Sequence, residues 1–595
     1  MSKASLELGG GNWAAKDGKL LGYAVGDTSG KYIPREFDFT RGGDIAATRV
    51  NEDGLIEKYR ENLLLQSNQF DTTWTTTNAS VTSGESGYDG SSDAWLLGST
   101  GGLGRVVQSI SQGGVQTLSF YAKAGTYSFA RPLGLDSSTN PDAFFDLSTG
   151  TIASIDAACI DAQIEKAGGG WYRCSITYDT TISEARIYPA FADGDTSTYG
   201  GNIYIQDAQL EQGLVATDYL ESGATTGKAG VLADLPRIDY TGGSASLLLE
   251  PERDNWVTQS EHLESSSWYK ARCTIEDNST TSPEGVVNAS KMTSTDASES
   301  YIGHNAAITG TKATWSFFAK KGDLDYAHGL VWDTSANGCR QWFNLSTGEV
   351  GGTTTFGSGH SVDYATIEDY GNGWYRCAMV VNLTAGTQGF RVNISSADTT
   401  ITSPVNSYGY FYGLQAEDAS YPTSYIPTYG TSDTRNADFS DDNDIVGSPI
   451  SFGANDDFTL FYEGSFDNLS STSNMIMGGG NRLLGDAYKN YWWVQNATTI
   501  KITGDSEVLM ASASMSLTND TNHKLLVKRD GSTIDFFVDG SKLTTTQSAP
   551  NTAFVFRSLG WSYTNSVYKV SGNIKQALVF NSALTDAECI ALTTL

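Results

Sequence analysis

The chain has 595 residues, too many for one hydrophobic core, which implies roughly three or four domains. Thirty-eight basic residues face 68 acidic ones, a formal charge of −30 that argues against non-specific binding to nucleic acid or to an anionic membrane. Gly, Ser, Thr, Asn, Tyr and Phe are abundant and Lys and Arg few, the composition of many short strands joined by turns.

The first residues, MSKASLELGG, hold no apolar segment of the signal-peptide type, and no run reaches transmembrane length. The expectation is synthesis in a cytoplasm, no export by the usual signal and no membrane insertion. Residues 1–60 carry short apolar pieces, Leu20-Leu21-Gly22-Tyr23, Phe37-Asp38-Phe39 and Ala46-Ala47-Thr48-Arg49-Val50, between charged and glycine-rich turns. They are too sparse to bury a core alone. This stretch reads as an assembly or attachment segment, the alternative being a terminal extension packed on the first domain.

Residues 61–222 alternate polar and apolar residues in short runs, as half-buried strands do. Gln116 to Lys123, Ala185 to Ala190 and Asn202 to Leu210 are examples, and Asp146-Leu147-Ser148-Thr149-Gly150 supplies a turn. Several strands at this spacing predict a β-sandwich of jelly-roll type. Residues 223–252 read as an ordered connector in which Ala245 to Glu250 is strand-like and stops at Pro251.

Residues 253–430 repeat the first unit. Gly170-Trp171-Tyr172-Arg173-Cys174 returns as Gly373-Trp374-Tyr375-Arg376-Cys377, and Phe145 to Gly150 returns as Phe343 to Gly348. Thr117 to Gly125 matches Thr314 to Gly322, Asn62 to Trp74 matches Asn255 to Trp268, and Gln209-Leu210-Glu211 with Tyr219 matches Gln415-Ala416-Glu417 with Tyr425. Seen twice within predicted strands, Trp171 and Trp374 are expected to be core anchors, with Tyr172 and Tyr375 beside them. Arg173 and Arg376 are expected to brace a neighbouring strand or carboxylate and not to bind a ligand.

Residues 431–595 follow another pattern. Asp456 to Gly464 and Ile574 to Phe580 read as strands, and His523 to Gly540 as a hairpin turning at Asp530-Gly531. Ser582 to Glu588 has the spacing of a capped helix, with Thr585 and Glu588 in a capping box, expected to close one edge of a second type of sandwich.

Reactive constellations are sparse. Six cysteines include no CxxC pair; Cys174 and Cys377 are equivalent, whereas Cys159 and Cys273 lack counterparts, so free and mostly buried thiols are expected. His262, His304, His328, His360 and His523 form no HExxH and no close pair, and no GxSxG, P-loop or helix-opening GxGxxG is present. Glycosidases on such folds need paired carboxylates on one face, and neither Asp207 to Glu211 nor Glu463 offers the pattern. No catalytic residue and no enzymatic activity are expected. A protein that contacts sugar would use exposed rings with polar neighbours; Trp95, Trp332, Trp342, Tyr491, Trp492, Trp493 and Trp561 are the candidates. Tyr491-Trp492-Trp493 stands out because three consecutive rings on a strand cannot all face one core. The alternative puts the middle ring inward or the outer rings against another subunit.

The duplicated unit resembles the carbohydrate-binding-module-like jelly rolls of bacteriophage virion proteins, through Asn62-Leu63-Leu64, Phe70, Trp74 and Gly170 to Arg173. The second copy matches through Asn255, Trp268 and Gly373 to Arg376, with Trp256-Val257 replacing Leu63-Leu64. The C-terminal unit is similar to concanavalin A-like (laminin-G-like) sandwiches through Phe536 to Gly540 and Phe580 to Leu592. Glu36-Phe37-Asp38-Phe39-Thr40-Arg41, Ala47 to Asn51 and Gly54-Leu55-Ile56 look like the head of tail-fibre, head-fibre or appendage proteins of tailed phages. The resemblance implies an all-β chain with an N-terminal attachment segment, two tandem jelly rolls and a concanavalin A-like β-sandwich. It implies a homo-oligomer, often a trimer, on the exterior of a virion, joined to other virion proteins through residues 1–60. Contact with host surface polysaccharide is the further expectation; a glycan-binding receptor-recognition protein and, behind it, a glycan-degrading enzyme are the alternatives. No cofactor is implied; a structural calcium ion remains open, without named ligands.

Overall fold

The computed structural model describes residues 3–11, 13–16, 19–25, 32–39, 41–43, 46–438, 446–469, 474–479, 490–560 and 570–595. Among these the chain is all-β, with one α-helix, Asp586–Thr593. Each repeat is a pair of six-stranded antiparallel sheets facing each other. In the first, Val115–Ala124 lies between Trp171–Asp179 and Asn202–Gln212 in one sheet, and Ile182–Ala190 lies between Phe129–Leu135 and Arg105–Gln112 in the other. The second repeats both orders with Lys312–Lys321 between Trp374–Asn382 and Tyr408–Glu417, and Gly386–Ser395 between Tyr326–Asp333 and Tyr301–Ile308.

The shared asparagine explains part of the repeat. Asn62 is fully buried, donates to the carbonyls of Ala208 (3.0 Å) and Leu220 (2.9 Å), and accepts from the amides of Leu64 (3.1 Å) and Leu210 (3.2 Å). Asn255 does the same with Leu414, Ile426, Val257 and Ala416 at 2.9–3.1 Å. One side chain thus satisfies four buried backbone groups where the chain enters each sandwich, so a residue without the amide would leave them unpaired.

The C-terminal sandwich is not confined to the C-terminus. Leu6–Gly9 pairs with Gly572–Phe580, Leu6 opposite Val579, and Tyr32–Asp38 pairs with Val446–Phe452. Ser246–Leu249 pairs with the same Gly572–Phe580 strand, Leu247 opposite Ile574. Leu6, Leu8, Leu20, Phe37, Phe39, Leu247 and Leu249 share one core with Phe458, Leu460, Trp492 and Phe536. Residues 1–60 are therefore not a separate segment, and 223–252 is more than a connector: both lend strands to a hub from which the two jelly rolls emerge as insertions. The apolar pieces that cannot bury a core alone complete somebody else's.

The three passes meet at a buried ion network. Arg41 Nε and Arg237 Nε donate to Asp438 Oδ1 at 2.9 and 3.0 Å; Arg237 Nη2 and Arg435 Nη1 approach Glu250 Oε2 at 2.7 and 3.1 Å. Loss of one member would strand a charge in the interior. The rest of the N-terminal stretch, Thr48–Val50 and Ile56–Lys58, lies on the second repeat, where Lys58 Nζ meets Glu261 (3.0 Å) and Glu284 (2.8 Å).

Thr585 caps the helix in a capping box with Glu588, as the spacing predicts. Its Cys589 and Leu592 pack with Phe461, Leu526, Phe537 and Leu578. Those residues alternate with core residues on their strands, so the helix covers an outer face of the hub and does not close an edge. All six cysteines are free, four of them buried.

Candidate functional site

Most of the candidate rings are structural. Trp95 is 6% exposed, packs edge-on against Phe70 and donates from Nε1 to the carbonyl of Asn68 at 2.9 Å. Trp492 is fully buried in the hub core, while Tyr491 and Trp493 sit edge-to-face (6.3 Å, 80°) on the other side of the strand, Trp493 half-buried. Pleat alternation makes the middle ring the core ring. Trp561 lies outside the described residues.

The repeat anchors need a correction. Trp171 and Trp374 are buried, but away from the jelly-roll cores; alternation points Tyr172, Cys174 and Ile176 inward and Trp171, Arg173 and Ser175 outward. Trp171 lies under Tyr88 and Tyr204, and Trp374 is buried with Ile56, Phe318, Tyr412 and Tyr425, donating from Nε1 to the carbonyl of Thr281 at 2.9 Å. The arginines brace as expected. Arg173 Nη2 bonds Ser119 Oγ (3.1 Å) and the Thr217 carbonyl, and Arg376 Nη2 bonds the Thr423 carbonyl.

Trp332 and Trp342 lead to a different surface. In the second repeat, Ile302, Phe390, Val392, Ala327, Val331, Cys339 and Phe343 point into the core. Their neighbours along the strands therefore share the outer face: Tyr301, Gly303, Arg391, Asn393, His328, Trp332, Arg340 and Trp342. Two glycines let rings lie flat on the sheet. A Cβ on Gly303 would sit 2.4 Å from the Tyr269 ring, and one on Gly389 would sit 2.0 Å from Trp332 Nε1. Glycine within a strand often marks such a close approach. Between the rings stands Arg391, its guanidinium carbon 4.0 Å from the centre of Tyr301, 4.5 Å from Trp332 and 5.6 Å from Tyr269. Arg340 continues the pattern 4.9 Å over Phe356. Tyr269, Tyr301, Trp332, Phe356 and both arginines are half-buried.

The floor of this face is polar and under-bonded. Trp342, fully buried, stacks on His328 (4.7 Å, 28°) and donates to the Thr400 carbonyl at 2.9 Å, so it supports the face and does not form its surface. Glu299 accepts from Arg340 Nη2 at 3.3 Å and from Asn393 Nδ2 at 3.4 Å. Burial would raise the Glu299 carboxyl, but His328 and Arg340 hold it below the usual range; burial lowers His328. Tyr269 Oη, Trp332 Nε1, Asn393 Oδ1 and the Nε atoms of Arg340 and Arg391 are buried here without a hydrogen-bond partner among the described residues, and His328 Nε2 lies 3.9 Å from Glu299 Oε1.

The first repeat has the same sheet with another face. Leu133 opposes Arg186 as Leu330 opposes Arg391, which aligns Leu135 with Trp332, Glu184 with Gly389, Arg131 with His328 and Phe144 with Trp342. Arg186 Nε is bound to Glu184 at 2.7 Å and Arg131 Nε to Asp142 at 2.6 Å. Among the described residues Arg391 has no such carboxylate.

The other histidines are tied to neighbours: His262 to Asp277, His360 to Gln388, His523 to Asp539 and His304 to Thr258. Among the described residues no group of three His, Cys, Asp or Glu could hold a metal ion, and no helix is long and apolar enough to cross a membrane. Sequence reasoning found Trp332 and missed Arg391, Tyr301 and Tyr269; Gly303 and Gly389 inside alternating strands were the available signal.

No protein-family model matches the chain, and no curated protein matches it. Solved structures match weakly. The CBM40 of the Ruminococcus gnavus IT-sialidase bound to α2,3-sialyllactose is 16% identical over 24% of this chain and 84% of its own, with a TM-score of 0.20. The tandem CBM22-1–CBM22-2 of Paenibacillus barcinonensis Xyn10C is 12% identical over 63% of this chain and 98% of its own, with a TM-score of 0.19. Domain 4 of the Geobacillus stearothermophilus arabinanase AbnA, in complex with arabinotriose, is 11% identical over 25% and 73%, with a TM-score of 0.18. At these scores no ligand is carried over to this chain.

Proposed function

We propose that the chain is a non-enzymatic structural protein of a tailed-phage virion, exposed on the particle and contacting glycans through the outer face of the second jelly roll. The observation that carries glycan contact is the set of half-buried rings at Tyr269, Tyr301 and Trp332, interleaved with the half-buried Arg391 and Arg340. Rings meet the apolar faces of sugars, and the guanidinium N–H groups meet their oxygens. Trp332→Ala should weaken binding on a glycan array about tenfold without changing the melting temperature, roughly the loss of one good aromatic contact. Undiminished binding would remove this face from the assignment.

The virion part rests on the resemblance of residues 36–56 to phage appendage proteins. Leu6–Gly9, Lys19–Val25 and Tyr32–Asp38 are hub strands, so attachment through residues 1–60 would require the folded hub. Electron microscopy of the particle tests location and the proposed homotrimer together; a particle without this density, or a monomer in solution, would count against each in turn.

A further inference from the structure

We infer that the second jelly roll selects an acidic sugar, whose carboxylate is taken by the edge of Arg391. This rests on the glycan-contact reading above and names its ligand class. Tyr301 at 4.0 Å and Trp332 at 4.5 Å flank the guanidinium. Rings stacked on it fix the plane of the group and leave its edge, which carries the N–H fork that matches a carboxylate in two parallel hydrogen bonds. Arg391 makes no ion pair among the described residues, although the chain carries 68 acidic residues against 38 basic ones.

The first repeat shows what a neutralised face looks like. There the equivalent Arg186 is bound to Glu184, its neighbour two residues away on the same strand. In the second repeat that position is Gly389, which lacks the carboxylate and at the same time admits Trp332. The change from Glu184 to Gly389 thus removes the internal anion and installs the ring. The charged groups around these rings are Arg391, Arg340, Glu299 and Arg272, whose guanidinium carbon lies 5.7 Å from the centre of Tyr301; Glu299 is already engaged by Arg340 and lies near His328. The balance of charge around the rings is positive. The overall charge of −30 opposes an acidic ligand at long range, so the preference must come from these short contacts.

The test uses the full chain on an array of uronic-acid and sialic-acid glycans, each printed beside its carboxyl-reduced counterpart, with sulfated neutral glycans alongside. The expected result is binding to at least one acidic glycan at least about tenfold tighter than to its reduced form, as a charged bidentate pair provides. Arg391→Gln should erase that difference, and Arg391→Lys, which lacks the planar fork, should restore little of it. Binding to neutral or sulfated glycans alone, or an unaltered preference in Arg391→Gln, overturns acid selection and leaves glycan contact standing. No binding to any spot overturns both.

Discussion

The jelly rolls and the hub are built by opposite routes. Each jelly roll closes on itself from one continuous stretch, sealed by Asn62 or Asn255 where the chain enters. The hub is assembled from strands that lie before, between and after the two jelly rolls in the chain, such as Leu6–Gly9, Ser246–Leu249 and Gly572–Phe580. The two jelly rolls then differ from each other on one face, where Arg186 is neutralised and Arg391 is not.

The largest effect should come from removing residues 1–41. It takes Leu6, Leu8, Leu20, Phe37 and Phe39 out of the hub core and Arg41 from Asp438. The hub transition in calorimetry should disappear while the jelly-roll transitions survive; loss of all transitions together would show that the inserts depend on the hub. Trp492→Ala should cost the hub about 3–5 kcal/mol by opening a cavity, whereas Trp493→Ala, half-buried on the other side, should leave its stability nearly unchanged.

Next, Asn62→Ala and Asn255→Ala should each destabilise their own jelly roll by more than about 3 kcal/mol, since four buried backbone groups lose partners at roughly 1 kcal/mol or more apiece. Clearly unequal costs, measured in denaturant, would break the equivalence of the two frames.

A smaller effect is pH-dependent and separates the second jelly roll from the first. Asp467 lines a cavity of about 250 Å³ between the hub and the second jelly roll, together with Glu368, Asp520 and Arg376. Burial pushes its carboxyl up to about 8, against the hydrogen bond that Ser571 donates to it at 2.6 Å. A pKa raised on folding means that the native state holds the proton more tightly. The stabilisation is complete below the ordinary carboxylate range and is lost as pH rises towards about 8. Asp467→Asn should therefore flatten the fall in melting temperature between pH 5 and pH 8.5, and an unchanged slope would refute the assignment.

The smallest expected effect is on binding. Leu135→Ala, the first-repeat counterpart of Trp332→Ala, should leave array binding unchanged; a matching loss would mean that both faces contact glycan.

The sequence by itself determined the all-β class, the duplication, the bracing arginines, the free thiols and the terminal helix with its cap. All of these follow from short-range patterns: alternation, spacing, and recurrence along one chain. Only the tertiary structure decided what covers each outer face. Trp171 and Trp374 look like core residues, yet Trp171 shares a face with Arg173, Ser175 and Thr177, and Trp374 shares one with Arg376, a signal of the outer side that alternation already contained. They are buried because other segments lie on them. The hub pairing of Leu6 with Val579 spans almost the whole chain, and no local pattern encodes so distant a partner. Likewise Arg391 became visible only when strands far apart in sequence brought Tyr269, Tyr301 and Trp332 around it, because a site on a sheet is set by cross-strand neighbours and not by neighbours along the chain.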